Sequence, residues 1–154
     1  MAPPPAPAAA APAPLAAAAP CPCDLGAAGR RYADCCGRYH GAGCGQAPDA
    51  ASLMRSRYSA FVLGRREELL ATWHHDTRPA ALEPDPPGLR WLGLSVKAAR
   101  STGPDAAEVE FIARSKLGGR AHRLHERSRF LRVDGRWLYL DGVDPASGLP
   151  AGGA

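Results

Sequence analysis

The residues with the clearest chemical potential are cysteines. Cys21-Pro22-Cys23 is followed by Cys35-Cys36, and then by Gly37-Arg38-Tyr39-His40. Four thiols in two tight pairs are hard to explain as core packing. Thiolate is a soft ligand, and zinc accepts four in a tetrahedron. We therefore expect a zinc site at Cys21, Cys23, Cys35 and Cys36, with a closed sulfur shell that makes the metal structural. The fifth cysteine, Cys44, and His40 are the nearest substitutes should one thiol not ligate. Cys44 reads more naturally as a bystander, whereas His40 could donate a hydrogen bond to a ligand sulfur or simply pack. An odd count of five does not suit a secreted disulfide framework, and adjacent Cys35 and Cys36 make an awkward disulfide with each other. Reduced cytoplasmic thiols holding a metal fit better.

A second group of residues could form a polar pocket. Arg57 lies four positions from both Leu53 and Phe61, on the apolar face of an expected helix. A buried guanidinium needs a partner. Glu126 is the best candidate, because it shares a strand face with Leu124 and Phe130, and Asp141 is the next. Arg57, Tyr58, His74, Glu126 and Ser128 could then line a site for a small ligand or for acid–base chemistry. The plainer alternative is an Arg57–Glu126 pair that fixes helix to sheet, and the residues favour it. No catalytic residue is assigned. The chain has no phosphate-binding glycine loop, zinc-hydrolase helix or serine elbow.

A third group is basic. Arg114 to Arg136 carries eight positive and two negative side chains. Arg123, Arg127 and Arg129 share one strand face with His125 between them. No aromatic interleaves with them there, so a base-stacking platform is not indicated. A solvated, ion-paired outer face is the expectation, with weak RNA or ribosome association as an alternative. With four thiolates and one Zn²⁺ the cysteine module is itself close to neutral, which speaks against an electrostatic role in nucleic-acid binding for that module.

These residues need elements to position them. Residues 1–20 are almost entirely Ala and Pro and uncharged, so they read as a disordered tail. They lack the basic start of a signal peptide, and Leu15 to Cys21 only loosely resembles a lipoprotein cleavage site. Residues 21–46 have no helical or strand period and need a staple. Asp49 as N-cap and Gly64 as stop bracket a first helix, and a second runs over Arg66 to Trp73. Residues 76–88, with their prolines, read as irregular. From Leu89 the period becomes two, with Leu92, Leu94 and Val96 as one face. Val109, Phe111 and Ala113 then alternate with charged neighbours, and Leu124, Glu126, Ser128 and Phe130 form one face of a long third strand. Ser101 to Asp105, Gly118-Gly119 and Asp134-Gly135 are turns, the last leading into a strand over Arg136 to Leu140. Helices followed by a short-linked antiparallel meander of about four strands argue an α+β domain over 47–145, with 146–154 loose. Leu131 and Val133 break the strand parity and suggest a bulge or a second buried patch.

The front cluster resembles the SEC-C motif, a short zinc-binding module attached to many bacterial proteins. The stretch 21–142 resembles the YchJ-like family of small bacterial proteins. Besides the cysteines, the resemblance rests on Leu53-Met54-Arg55-Ser56-Arg57-Tyr58-Ser59-Ala60-Phe61, Ala71-Thr72-Trp73-His74, Trp91-Leu92-Gly93-Leu94, His125-Glu126-Arg127-Ser128-Arg129-Phe130, Asp134-Gly135-Arg136-Trp137 and Asp141-Gly142. It implies a nuclear transport factor 2-like fold, a curved sheet with helices forming a cone, with a structural zinc in front. The first expectation is an accessory protein that acts through protein partners, in the cytoplasm as its reduced thiols suggest, and with no apolar window approaching the roughly 20 residues of a membrane span. Two departures stand out. The loop between Cys23 and Cys35 is about three residues longer than usual, at small entropic cost. The usual glycine after the second cysteine is Asp24 here.

Overall fold

The computed structural model describes residues 15–148. The chain first makes four short 3-10 turns, at Leu25–Ala28, Tyr32–Asp34, Cys36–Tyr39 and Gly41–Gly43. Two helices follow, α1 (Ala50–Leu63) and α2 (Arg66–Ala71). Four strands complete the described chain: β1 (Arg90–Gly103), β2 (Ala106–Leu117), β3 (Arg120–Val133) and β4 (Arg136–Val143). The strands form one antiparallel meander in the order β1-β2-β3-β4. The α+β architecture expected from the sequence is the one observed.

Helix α1 begins where Asp49 Oδ1 accepts a hydrogen bond from Ser52 N at 2.7 Å, satisfying one of the free amides of the first turn. It ends at Gly64, whose amide bonds back to Ala60 and Phe61. Its buried residues do not form a single stripe. Leu53, Met54, Tyr58 and Ala60 are buried, but so are Ser56, Arg57 and Ser59. A helix buried beyond one face has neighbours on more than one side. Here one neighbour is the sheet and the other is the cysteine module. The cysteines Cys21, Cys23, Cys35 and Cys36 join Leu53, Met54, Tyr58, Leu94, Val109, Phe111 and Phe130 in one continuous core.

The inner face of the sheet follows the expected alternation. Phe111 stands opposite Glu126, Val109 opposite Ser128 and Ala113 opposite Leu124. Strand β1 departs from it. Leu92 was expected to face inward with Leu94, yet it is 50% exposed. A bulge between Trp91 and Gly93 adds a residue there and reverses the parity. The same strand runs through Ser101, so the turn narrows to Pro104-Asp105. A further bulge places Tyr139 opposite Phe130 but Asp141 opposite Arg129, leaving Leu140 extra in β4. The bulge or buried patch expected at Leu131 and Val133 is not found there: β3 keeps an unbroken register with β2, the extra residue lies in β4, and Val133 is 36% exposed.

Two other expectations need correction. Helix α2 stops at Ala71, because Thr72 to His74 turn to run beside β4. Tyr139 N donates to Thr72 O at 2.8 Å, and His74 N donates to Tyr139 O at 2.7 Å. The tail reading also extends too far. Residues 15–20 join the cysteine module, where Tyr32 N donates to Ala19 O and Ala33 N to Ala17 O, and Leu15 packs against the core. The rest of that stretch, residues 1–14, lies outside the described residues, as does 149–154. Of the end read as loose, Ala146 N is held by Asp144 Oδ1 at 2.8 Å.

Gly142 fixes how closely β4 can approach the polar side of β3. A Cβ at this position would lie 1.6 Å from Glu126 Oε1 and 2.3 Å from its carboxyl carbon. Overpacking of this kind typically costs 1–3 kcal/mol, and we expect Gly142→Ala to lose about 3 kcal/mol. Thermal melts of the variant beside the native chain check this; an unchanged midpoint would mean that Glu126 can swing clear without loss.

Candidate metal centre and polar core

The four cysteines arrive from two places in the chain. Cys21 and Cys23 flank Pro22 at the start of the module. Cys35 and Cys36 are adjacent, and adjacent side chains normally diverge. They converge because Cys35 joins two 3-10 turns with φ −128° and ψ −117°, outside helix and strand geometry. All four are buried, at 0–4% exposure. Their sulfurs lie within 4.8 Å of one another, and Cys23 Sγ is 3.5 Å from Cys35 Sγ. A tetrahedral site with metal–sulfur bonds of about 2.3 Å separates its sulfurs by about 3.8 Å, so the constellation has the right size to close on one ion.

The four thiols act strongly on one another. Hydrogen bonds from Cys23 and Cys36 pull the Cys21 thiol far down. Burial pushes Cys35 up to about 12, and the hydrogen bond to Cys21 raises Cys36. Four buried thiols at this distance ionise together only around a cation.

Helix α1 and the sheet close the other side of the cluster. Ser59 Oγ lies 3.8 Å from Cys21 Sγ, and Arg55 Nη1 donates to Cys23 O at 2.9 Å. His40 is not among the clustered groups. Its Nε2 donates to Ser56 O at 2.8 Å, since a carbonyl can only accept. Its Nδ1 then accepts from the Tyr32 hydroxyl. Burial holds this imidazole neutral by lowering its pKa. Of the two roles open to it, His40 takes the packing one, pinning module to helix. Cys44, half-buried, stands outside the constellation.

Asp24 stands where the SEC-C pattern usually has a glycine. Its backbone is left-handed, at φ 67°, a conformation that aspartate tolerates better than most residues. Its carboxylate accepts from Leu94 N at 3.0 Å, at the β1 bulge, and Gly93 leaves the space it occupies.

The polar candidates divide between two places. Arg57 Nη1 donates to Leu69 O at 2.7 Å and to Thr72 Oγ1 at 2.8 Å. Its guanidinium also lies over the Trp73 and Tyr139 rings, at 5.0 and 4.6 Å. Glu126 Oε1 accepts from Ser128 Oγ at 3.0 Å and from Tyr139 OH at 2.9 Å. The expected Arg57–Glu126 ion pair is not among the ion pairs of the described residues, and Tyr139 contacts both partners. Asp141 is not Arg57's partner either; it pairs with Arg129 on the other face of the sheet. Tyr58 is directed elsewhere, meeting Trp91 edge-on at 5.6 Å. His74 is buried beside β4, where its Nδ1 accepts from Asp76 N. A cleft of about 300 Å³ lies away from all five, between Gly45–Pro48 and the β3–β4 hairpin.

Burial lowers the Arg57 pKa to about 10. Burial also raises Glu126 above its ordinary 4.5, against the pull of Tyr139, Ser128 and Arg57. The residues missed in the sequence were Thr72, Trp73 and Tyr139. Tyr139 was legible as a residue of the fourth strand, but its bond to Glu126 depends on the β4 bulge.

The family model described as the YchJ middle NTF2-like domain matches residues 49–142. A UPF0225 protein of Methylibium petroleiphilum is 74% identical over 115 residues, covering 74% of this chain and 84% of that relative. A UPF0225 protein of Bordetella pertussis is 58% identical over 114 residues, covering 73% and 86%. The solution structure of a SEC-C motif-containing protein from Rhodopseudomonas palustris superposes with a TM-score of 0.65 at 32% identity, covering 74% of this chain and 91% of that one. The crystal structure of another such protein, from Psychrobacter arcticus, gives 0.64 at 31% identity, covering 79% and 80%.

The folded Glu126 carboxyl holds its proton more tightly than the unfolded one. Its contribution to stability is therefore complete below the unfolded value and declines as pH rises towards the folded one. Glu126→Gln removes this decline while keeping an acceptor for Tyr139. Melting curves from pH 4 to 7 should show the variant gaining on the native chain as pH rises, and parallel curves would contradict the burial argument.

Proposed function

This chain belongs to the YchJ-like family, and from that premise we propose that it is a zinc-binding accessory protein acting in the cytoplasm through protein partners. Cys21, Cys23, Cys35 and Cys36 would hold the ion, and its bound form supplies a cross-link rather than a reactive centre. The observation carrying this reading is the convergence of four buried sulfurs within 4.8 Å. Thiolates in that number favour zinc, and a closed shell of four leaves no position for water or substrate. The solved relatives, described as SEC-C motif proteins, support it.

The polar core fits a structural role in the same reading. The Arg57 guanidinium is satisfied by Leu69 O, Thr72 Oγ1 and two aromatic faces. The Glu126 carboxylate is engaged by Ser128 and Tyr139 and abuts Gly142. Groups this fully partnered hold helix to sheet and leave little to offer a ligand.

Metal analysis of chain purified without chelator should give about one zinc per molecule, the stoichiometry of a single four-ligand site. A value near zero would sink the zinc reading. Cys35→Ser with Cys36→Ser should lose the metal, and the binding energy lost, of order 10 kcal/mol, should unfold the module. Affinity capture from the native cell with the full chain and this double variant tests the partner reading. Partners lost only from the variant would belong to the module; identical captures would remove the module from partner binding.

A further inference from the structure

The outer face of the sheet carries charge unevenly. At one end each acid is matched. Glu108 pairs with Arg100, Glu110 with His125 and Arg127, and Asp141 with Arg129. Arg127 and Arg129, prominent in the sequence, are therefore committed within the sheet. The end towards the β2–β3 turn is different. In register, Arg114 stands opposite Arg123 and Arg90 opposite Lys116. All four are exposed, and none enters an ion pair among the described residues; Arg114 makes only a 3.2 Å hydrogen bond to Ser95 Oγ.

Like charges directly opposite on a sheet destabilise it. Here two such pairs lie side by side, about 7 Å apart along β2. An extended anion laid across the strands would relieve both repulsions at once. We propose that this end of the sheet is a docking surface for the phosphodiester backbone of a nucleic acid, held by Arg90, Arg114, Lys116 and Arg123. Arginine's planar fork suits phosphate oxygens. The patch has no aromatic platform for bases, so recognition is of backbone and not of sequence. Among the described residues Leu92 is the single large apolar side chain exposed nearby, too little for the desolvated anchor cluster of a protein interface or for insertion into a lipid surface. This surface is independent of the metal centre, and its failure would leave the zinc reading untouched.

Fluorescence anisotropy with labelled 20-nucleotide oligouridylate and the matching oligodeoxythymidylate, titrated with the full chain from about 50 to 200 mM salt, tests the proposal. Binding should weaken with salt. Arg114→Gln with Arg123→Gln should lower affinity at least tenfold at the lowest salt and reduce the slope of log K against log salt by about 1.4, two phosphate contacts' worth for a single strand. Arg127→Gln with Arg129→Gln should change affinity less than twofold. The Arg114/Arg123 variant should melt no lower than the native chain, which separates lost contacts from lost fold. Absence of binding, an unchanged slope, or tighter binding to polyglutamate or to phosphatidylserine vesicles than to either oligonucleotide would overturn it.

Discussion

Helix α1 is held from two sides, and its position depends on the closure of the cysteine module. The sheet takes the Leu53, Tyr58 and Arg57 side. The module takes the rest through Ser59 on Cys21, Arg55 on the Cys23 carbonyl and His40 on the Ser56 carbonyl. Without the module, Ser56, Ser59 and Arg55 would be ordinary polar positions on a wet helix face, and Cys21 to Cys36 would have no core. The cysteines are thus part of the single core, and a metal that gathered them would also seat the helix on the sheet.

The polar core obeys a related constraint. A guanidinium and a carboxylate are both buried between α1, β3 and β4, yet each finds its bonds elsewhere. Arg57 uses the carbonyl of Leu69 and the Thr72 hydroxyl near the end of α2. Glu126 uses neighbouring hydroxyls. Tyr139 touches both, by its ring and by its hydroxyl. A direct ion pair would demand ideal geometry to offset desolvation, whereas hydroxyl and π contacts spread that demand over several elements.

Much of this was legible in the sequence. Asp49 and Gly64 bracket α1 as their types suggest, and alternation at Val109–Ala113 and Leu124–Phe130 marks the inner face. The cysteine spacing pointed to the cluster of four sulfurs. What could not be read were the bulges. One extra residue at Leu92 turns that leucine outward and brings the Leu94 amide within reach of Asp24. One extra at Leu140 sets where Tyr139 meets Glu126. An inserted residue shifts the alternation by one, and at Leu92-Leu94-Val96 the shift is masked because apolar residues still fall on every second position. Long-range partners such as Thr72 and Arg57 were hidden for a related reason: their meeting depends on where α2 stops.

The chain that stops α2 also settles the fate of the sheet's margins. Thr72 to His74 lie parallel to β4 and take both backbone groups of Tyr139. The β4 margin is therefore blocked at its middle by the protein's own backbone. Among the described residues the opposite margin, β1, has no such backbone cover along Lys97 to Ser101, a stretch that is exposed and carries Lys97 and Arg100. Charged side chains of this kind discourage a foreign strand from adding on. The molecule thus guards one margin with its main chain and the other with charge, and only the second guard weakens as salt rises.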